Sequence, residues 1–579
     1  MSIHKLTAGS GYDYLTRQVA AQDATEKGHT SLAIYYSAKG EAPGTWIGSG
    51  MAGIDGLDEG DEVTAEQMRN LFGAGKHPLA EQLRAAAAAD GKIEREQETA
   101  TWLGTPFRVY ANDTSPFRIR VAKEVAALNA SLGRRSADPI PLTDRARIRT
   151  QVAVAVFREE YGRDPADARE LAATIAKHSR PRTNAVAGYD LTFSPVKTVS
   201  ALWALADRPT AAAIERAHQQ AVRDALTFLE NTALFTREGT NGVRQVETRG
   251  LIATAFTHRD SRAGDPDLHT HVAVANKVQT RDTGRWLAID GRLMFAATVA
   301  ASETYNTALE RHLTDTLGVR FEVREGDDPR KRPIREIVGV DPGLAASWSA
   351  RRASIETRRA ELAGAFQATH GRPPTPVESV QLAQQATLET RQGKHEPRSL
   401  AEQRATWAAQ ARQVLGGERG VQAMLHRALH PAARPTRRVE AAWVRETAAT
   451  IQETLQAHRS YWQRWHVEAE AQRQVRGADV HTHDVDPLVG LLVDEVLTRR
   501  SVPLTRSERD IDTPAALRRS DGASVYTVAG STLYTSPDLL AAEARIVAHA
   551  GQHDATRATR AAVEQALAQS ATDGLPLNA

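Results

Sequence analysis

The sequence predicts a mixed α+β protein in which a few strands lie among many helices. Two runs rich in β-branched and small residues, 251–258 and 268–276, are joined by a polar turn at 259–267, a pattern typical of a β-hairpin. A third run, 189–193, has the same strand-like character. Most of the remaining chain is rich in alanine and charged residues with helical periodicity, which indicates helices around these strands.

The elements that precede the hairpin can be assigned in chain order. Residues 3–7 are predicted to form a strand, and after a Gly-Ser-Gly turn residues 12–21 can start a helix. The glycine-rich stretch 43–61 suggests loops and short turns. Residues 64–177 are mostly helical in pattern, and residues 195–205 lead into a further helix.

The elements that follow the hairpin are mainly helical. We expect a long helix at 298–317, a strand at 319–323, and charged helices between 342 and 416. The remainder is predicted to contain helices from Pro435 to about residue 474, a helix at 487–499, a hairpin at 524–534 and a closing pair of helices.

Length and composition exclude several classes of protein. The 579 residues predict about three to five domain-sized units. With 41% hydrophobic and 25% charged residues, the chain is neither wholly disordered nor collagen-like. Because the sequence contains no cysteine, it excludes a disulfide framework, thiolate catalysis and cysteine-built metal sites.

The charge and hydropathy of the sequence restrict which partners the protein can bind and where in the cell it is expected. The 73 basic and 71 acidic residues give a formal charge of +2, so a DNA-binding face would have to be a local patch. The N-terminus lacks the apolar run of a signal peptide, and no run of 18 apolar residues is present. We therefore expect a cytoplasmic protein without membrane insertion.

Three histidines carry the strongest chemical signal. His269 and His271 project from the same face of a strand because side chains alternate along it, and His258 ends the preceding strand. A hairpin would bring the three imidazoles to one point and leave coordination positions open to water or a phosphate oxygen. The spacing predicts a metal site, and three solvated strand histidines are the alternative.

One aspartate and a cluster of tyrosines add to this signal. Asp190 interrupts an otherwise apolar strand, where a carboxylate needs a partner such as a histidine ligand or a tyrosine hydroxyl. Four of the eleven tyrosines, Tyr12, Tyr14, Tyr35 and Tyr36, fall within the first 36 residues. A tyrosine hydroxyl becomes a nucleophile only beside a base or a polarised electrophile, and aromatic packing is the alternative interpretation.

Together these motifs resemble the conjugative relaxases of the relaxase–helicase class (MobF family, TrwC/TraI-like relaxase domain). The resemblance is carried by the His-x10-His-x-His set, the Tyr-Asp-Leu-Thr-Phe-Ser strand at 189–194 and the early tyrosines. Further matches lie at 43–48, 265–271, 284–286, 348–352 and 390–394. The resemblance therefore covers residues 1 to about 415 in patches.

The resemblance implies a fold and an activity. The fold is that of a histidine-hydrophobe-histidine endonuclease, an antiparallel β-sheet with flanking helices. The activity is the nicking of single-stranded DNA at an origin of transfer, in which Tyr14 attacks the scissile phosphate and stays joined to the 5′ end. Tyr12 is a rival for that role, while Tyr35 and Tyr36 match the pair used for later strand transfer.

The resemblance also implies roles around the metal. His258, His269 and His271 would bind a divalent ion, Mg²⁺ or Mn²⁺. Asp190 would orient a ligand histidine or take the tyrosine proton. Three cations close to the motifs are candidates for phosphate contacts, with solvated surface cations as the alternative: Lys197, Arg259 and Arg262.

The chain is predicted to divide into a relaxase domain and a C-terminal region. The relaxase domain spans 1–415, with a mostly helical insertion at about 61–178 that does not map onto the family core. Residues 416–579 would be a helical linker and a remnant lead-in to a helicase whose motor is absent, since the sequence contains no Gly-x4-Gly-Lys-Ser/Thr motif. We expect no ATPase activity, cleavage that does not need residues 416–579, and separate helicase, accessory or coupling proteins as partners.

Two other functions compete with the relaxase interpretation. A histidine-hydrophobe-histidine replication initiator or transposase usually places its tyrosine after the His-x-His motif, whereas the tyrosines here precede it. A catalytically decayed DNA-binding remnant is the second alternative. The intact Tyr14, Asp190 and histidine set argues against decay.

Overall fold

A five-stranded antiparallel sheet lies at the centre of the protein. The computed structural model describes residues 1–15, 43–108, 116–136, 138, 140–166, 168–179, 185–324, 332–390, 398–505, 513–552 and 558–572. The sheet has the order β1-β3-β7-β6-β2. Its strands are β1 (Ser2–Thr7), β2 (Thr45–Ile47), β3 (Val186–Phe193), β6 (Ala253–Asp260) and β7 (Pro266–Ala275).

The other strands form short two-stranded pairs outside this sheet. They are β4 (Phe235–Glu238) with β5 (Arg244–Glu247), β8 (Val278–Gln279) with β9 (Trp286–Leu287), β10 (Phe321–Val323) with β11 (Arg335–Ile337), and β12 (Val502–Pro503) with β13 (Tyr534–Thr535).

Helices make up most of the remaining described chain. In the first half they are α1 (Ala65–Met68), α2 (Ala80–Ala89), α3 (Glu94–Thr99), α4 (Pro116–Ser131), α5 (Leu142–Tyr161), α6 (Ala168–Ser179), α7 (Lys197–Leu205) and α8 (Arg208–Thr232), with a π-helical turn at Arg69–Ala74. In the second half they are α9 (Gly291–Ala296), α10 (Thr298–Leu317), α11 (Pro342–Ser347), α12 (Ala350–His370), α13 (Pro376–Glu389), α14 (Leu400–Leu415), α15 (Glu418–Leu429), α16 (Ala441–His458), α17 (Arg464–Arg476), α18 (Val485–Arg499), α19 (Pro537–Ala550) and α20 (Arg560–Thr572). None of the helices in the described part of the chain has the length and apolar character needed to cross a membrane.

The larger core covers one face of the sheet. Leu191, Phe193 and Val272 on that face pack against buried residues of α7, α8 and α10. Helix α8 begins where Asp207 caps it by accepting a hydrogen bond from the Thr210 backbone N–H at 2.9 Å. Its buried side chains recur at three- and four-residue spacing, so one apolar stripe faces the sheet.

A second core covers the opposite face. Phe256 from β6 and Leu6 from β1 pack there with Trp46, Met68 and Phe72. Met68 and Phe72 come from the predicted helical insertion, which is indeed mostly helical in its described residues. The first part of that insertion is therefore built into the sheet, whereas α4, α5 and α6 surround a small core of their own.

The predicted elements can be compared with the observed ones. The α+β class, the antiparallel sheet and the hairpin of β6 and β7 are confirmed, and the helix predicted at 298–317 coincides with α10. The hairpin predicted at 524–534 is wrong. Its last residue joins β13, which pairs with β12, and the Ala529 backbone N–H donates to Gln245 Oε1 at 2.6 Å instead of to a neighbouring strand.

The packing does not stop at the predicted boundary near residue 415. Val421, Met424 and Ala428 of α15, together with Ala529, belong to the same core as the sheet. The domain boundary stays a prediction: α15 and Ala529 belong to the same core as the sheet, whereas α16, α17 and α18 pack around a core of their own.

Candidate active site

Strands β6 and β7 gather the three predicted histidines at one end of the sheet. His258 lies directly opposite His269, and Phe256 lies opposite His271. The ring centroids are 5.1 Å apart for His258 and His269, 5.2 Å for His258 and His271, and 5.4 Å for His269 and His271. We call these three residues the histidine triad. The hairpin spacing predicted from the sequence thus brings all three rings together.

Hydrogen bonds fix which nitrogen of two triad histidines remains available. His269 Nδ1 lies 2.7 Å from the Asp267 backbone oxygen, which can only accept, so Nδ1 carries the proton. His271 Nδ1 lies 2.9 Å from both carboxylate oxygens of Asp190 and 3.2 Å from Thr192 Oγ1. The Nε2 lone pairs of both rings are left to bind an electrophile.

Burial keeps His269 neutral. It lowers the pKa of His269 to about 4, and the neighbouring His258 adds to the effect. A metal ligand must be a neutral imidazole, so this environment suits ligation at neutral pH.

Asp190 joins the triad to Tyr14. Asp190 is buried on β3, diagonal to His271 on the neighbouring strand β7, and its Oδ2 accepts a hydrogen bond from the Tyr14 hydroxyl. The Tyr14 ring meets the His271 ring edge-on with centroids 6.1 Å apart. Burial and the Asp190 charge raise the pKa of the Tyr14 hydroxyl well above its usual range. The buried carboxylate thus has both partners that the sequence predicted for it.

The rival tyrosine occupies a different environment. Tyr12 is only 6% exposed, whereas Tyr14 is 40% exposed. The Tyr12 ring packs in the second core against Phe72, with centroids 6.3 Å apart. Burial, followed by the charge of Asp13, raises the pKa of Tyr12 to about 12. Tyr35 and Tyr36 lie outside the described residues.

The three candidate phosphate-binding cations belong to or contact the hairpin that carries the triad. Lys197 Nζ donates to the Pro266 backbone oxygen at 2.8 Å and to Asp267 Oδ1 at 3.3 Å, so it braces the start of β7. Arg259 is buried within β6, and Arg262 is half-buried in the turn that follows.

The turn between β6 and β7 is held by distant segments of the chain. Gly264 has a φ of +81°, a conformation that favours glycine, and its backbone oxygen accepts from Trp407 Nε1 at 2.9 Å. Asp265 Oδ2 accepts from the Ala350 backbone N–H at 3.1 Å. Asp260 Oδ2 accepts from Gln403 Nε2 at 2.9 Å. Ala350, Gln403 and Trp407 therefore hold the turn between the strands that carry the triad.

The donor set of the triad fits a divalent metal in chemistry. Two of its rings have Nδ1 engaged and Nε2 free, and carboxylates or carbonyls orient them as outer-shell partners do in metal sites. No group of three histidine, aspartate or glutamate side chains in the described ranges already has its donor atoms arranged to hold an ion.

Comparison with known families identifies the chain. The TrwC relaxase family model matches residues 8–414. The chain belongs to the TrwC relaxase family. This membership favours the relaxase interpretation over a replication initiator or transposase.

Individual relatives of the TrwC relaxase family cover parts of the chain. The multifunctional conjugation protein TraI of Escherichia coli is 34% identical over 195 residues, which is 30% of this chain and 11% of TraI. The protein of the same name from strain K12 is 33% identical over a stretch of equal length. The chain thus spans about a tenth of the length of these curated relatives.

Solved structures of the conjugative relaxase TrwC are also similar. A copper-bound complex with oriT DNA covers 71% of this chain and 98% of that one, at 20% identity and a TM-score of 0.40. A second metal-bound complex with oriT DNA covers 72% and 99%, at 20% identity and a TM-score of 0.38.

Sequence reasoning missed some residues around the site. The predicted triad, Asp190 and Tyr14 come together, but buried His218 behind the sheet was overlooked. The signal available was its position on the apolar stripe of α8, four residues after Ile214. A histidine at such a position needs polar partners inside the core.

Proposed function

We propose that this protein is a conjugative DNA relaxase. It would nick single-stranded DNA at a specific site in an origin of transfer and form a covalent 5′-phosphotyrosine intermediate. The observation that carries the proposal is the bridge formed by Asp190, whose carboxylate bonds both the Tyr14 hydroxyl and His271 Nδ1. A nucleophile, a base and a metal-ligand candidate are thus joined in one hydrogen-bonded set, which is the arrangement that activates a weak nucleophile.

Tyr14 is the proposed nucleophile and Asp190 the proposed base. The Tyr14 oxygen attacks the scissile phosphorus while its proton passes to Asp190. The bond from phosphorus to the 3′ oxygen breaks, and that oxygen leaves as a 3′ hydroxyl with a proton taken from solvent water. One phosphodiester is exchanged for another, so nicking and rejoining need no ATP. Because burial and Asp190 raise the pKa of Tyr14, the phenol keeps its proton until a base removes it.

His258, His269 and His271 are the proposed ligands of Mg²⁺ or Mn²⁺. Bound there, such an ion would neutralise charge on the non-bridging phosphate oxygens and align the scissile group. The protein's own contribution is to keep the imidazoles neutral and oriented, through burial of His269 and the Asp190 contact to His271.

Contacts to DNA are proposed for the cations near the triad. Arg262 is proposed because it lies half-buried in the turn that follows β6, four residues beyond His258. Arg259 remains a further candidate. Lys197 is engaged by Asp267 and Pro266, which supports bracing of β7 more strongly than direct phosphate contact.

Later strand transfer and unwinding complete the proposal. Tyr35 and Tyr36 are the proposed nucleophiles of the second transfer. A separate helicase is the proposed source of unwinding, with conjugation accessory or coupling proteins as further proposed partners.

The first test replaces the nucleophile. Tyr14→Phe removes the attacking oxygen and should abolish the covalent adduct with an oligonucleotide that carries the origin. Tyr12→Phe is the matched control and should keep the adduct. Mass spectrometry of the wild-type adduct should find the nucleotide on the peptide containing Tyr14. An adduct on Tyr12 would contradict the assignment, and a wild-type protein that never forms an adduct would contradict the function.

The second test measures metal binding directly. Calorimetry with Mn²⁺ should show one site in the wild-type protein and a large loss of affinity in His269→Ala, because one of three ligands is gone. His481→Ala is the control, since His481 belongs to a second His-Thr-His sequence away from the sheet. Equal affinity in wild type and His269→Ala would rule out the triad as the site.

A further inference from the structure

A chain of buried hydrogen bonds lies directly behind the histidine triad, on the other face of the sheet. His218 of α8 is completely buried, and its Nδ1 lies 2.8 Å from the Tyr305 hydroxyl of α10. His218 Nε2 lies 2.8 Å from Thr270 Oγ1. Thr270 Oγ1 in turn lies 2.9 Å from Thr257 Oγ1. Four polar side chains thus form a continuous network that runs from the apolar core to half-buried Thr257.

The buried Tyr305 hydroxyl determines which atoms of His218 donate and accept in this network. The Tyr305 hydroxyl is also completely buried, and His218 is its hydrogen-bond partner, so the hydroxyl donates to Nδ1. His218 then carries its proton on Nε2 and donates a hydrogen bond to Thr270 Oγ1, which is hydrogen-bonded in turn to Thr257 Oγ1. Burial lowers the pKa of His218 to about 3, so the ring stays neutral.

The network meets the hairpin between the metal-ligand candidates. Thr270 lies between His269 and His271 on β7, and Thr257 precedes His258 on β6. The pair Thr257 and Thr270 is in register between the pair His258 and His269 and the pair that contains His271. Because side chains alternate, the threonines face the core while the histidines face the site. A bond between the threonines therefore fixes the two strands at the residues that carry the triad.

We propose that His218 is a positioning residue for the metal site. By tying Thr270 to Tyr305, it holds β7 against α8 and α10 and sets the spacing of the three imidazoles on the opposite face. The inference rests on the proposed function, because it assigns the triad to a metal. It extends that function to residues that touch neither the metal nor the DNA.

The test uses a matched pair of substitutions at the centre of the network. Thr270→Val keeps the shape of the side chain and removes its hydroxyl, whereas Thr270→Ser keeps the hydroxyl. Calorimetry with Mn²⁺ should show binding about 10-fold or more weaker in Thr270→Val, in line with substitutions of outer-shell partners. Thr270→Ser should bind close to wild type. The absorption spectrum of bound Co²⁺ should change in Thr270→Val only, since it reports ligand geometry.

Further variants separate positioning from simple loss of stability. Tyr305→Phe and His218→Phe should also weaken Mn²⁺ binding, because each interrupts the network. Thr236→Val is the control: Thr236 is equally buried and donates to the Ala288 backbone oxygen at 2.6 Å, outside the network. It should lower the melting temperature without changing Mn²⁺ affinity.

The outcomes distinguish this proposal from the proposed function. If Thr270→Val behaves like Thr236→Val, with lower stability but unchanged Mn²⁺ affinity and Co²⁺ spectrum, the positioning role is overturned. No Mn²⁺ binding by the wild type would overturn it as well. A wild type that binds Mn²⁺ and responds to Thr270→Val, yet fails to nick origin DNA, would leave the positioning role intact and remove the relaxase function.

Discussion

Two helical regions are attached to the same sheet in different ways. Helices α4, α5 and α6, residues 116–179, surround their own small core of Phe117, Ile148 and Val152. Their ion pairs, such as Arg120 with Glu159, lie at the surface. Helix α15 and Ala529 instead contribute side chains to the main core beneath the sheet, while α16, α17 and α18 pack around a further core of their own.

Buried ion pairs strengthen the second attachment. Arg473 and Arg476 of α17 each lie 2.9 Å from Glu303 of α10, and Arg476 also lies 3.2 Å from Glu310. These four side chains are at most 15% exposed. A buried pair is costly to break because the remaining charge loses its partner. Helical, charged composition alone therefore does not tell whether a region is an appendage or part of the core.

The largest effect is expected from truncation after Leu415. This removes Val421, Met424 and Ala428 from the core and leaves Glu303 without its arginines, so the shortened chain should not reach the native state. Near-ultraviolet circular dichroism should show loss of fixed tertiary packing. Truncation after Gly551, which removes α20, is the control and should leave the signal unchanged. A folded, cleaving 1–415 fragment would restore the boundary predicted from the sequence.

A smaller effect is expected when a single buried charge is removed. Glu303→Ala leaves Arg473 and Arg476 without their shared partner and should lower the free energy of unfolding by about 3–5 kcal/mol. Glu322→Ala is matched to it, because Glu322 also pairs with an arginine of the C-terminal region, Arg434 at 2.7 Å, but near the surface. Its effect on urea unfolding should be small. Equal effects of both substitutions would mean that the buried network does not anchor α17.

The smallest effect is expected from removing the appended helices. Replacing residues 116–179 by a flexible glycine–serine linker should leave Mn²⁺ binding and oligonucleotide cleavage close to wild type, because the triad and both main cores lie elsewhere. The melting temperature of the variant should differ little from that of the wild type. Loss of Mn²⁺ binding in this variant would show that α4, α5 and α6 support the site after all.

The chemical centre was predictable because its signals are local. His258, His269 and His271 lie on two adjacent strands joined by one turn, so alternation and turn length place their rings together. The link from Asp190 to Tyr14 was suggested only by the cost of an unpaired carboxylate and by the family resemblance. Tyr14 and Asp190 are 176 residues apart, and no periodic sequence pattern connects the two residues.

Several elements could not be predicted from the sequence because contacts with distant parts of the chain determine them. Strand β2 has only three residues, Thr45–Ile47, within a glycine-rich stretch, and it exists because β6 offers a free edge. Residues 524–534 have the β-branched character of a hairpin, but Gln245 and β12 supply their hydrogen-bond partners. Likewise, the sequences of α15 and α17 are those of ordinary charged helices. Only the structure shows that α15 packs in the main core and that α17 pairs with Glu303.

Because of the sheet order, strand β1 can pair only with a strand that is synthesised much later. Its neighbour in the sheet is β3, and residues 2–7 pair with residues 186–192. At roughly 5–20 residues per second, a ribosome needs about 10–40 s to extend from one strand to the other. The segment that carries Tyr14 is therefore made well before β3, and the nucleophile can reach Asp190 only once β3 is available. The strands that hold the histidines, β6 and β7, are made later still. Such distant pairing slows folding, and a nascent chain of this protein would carry its N-terminal strand without a partner until β3 emerges.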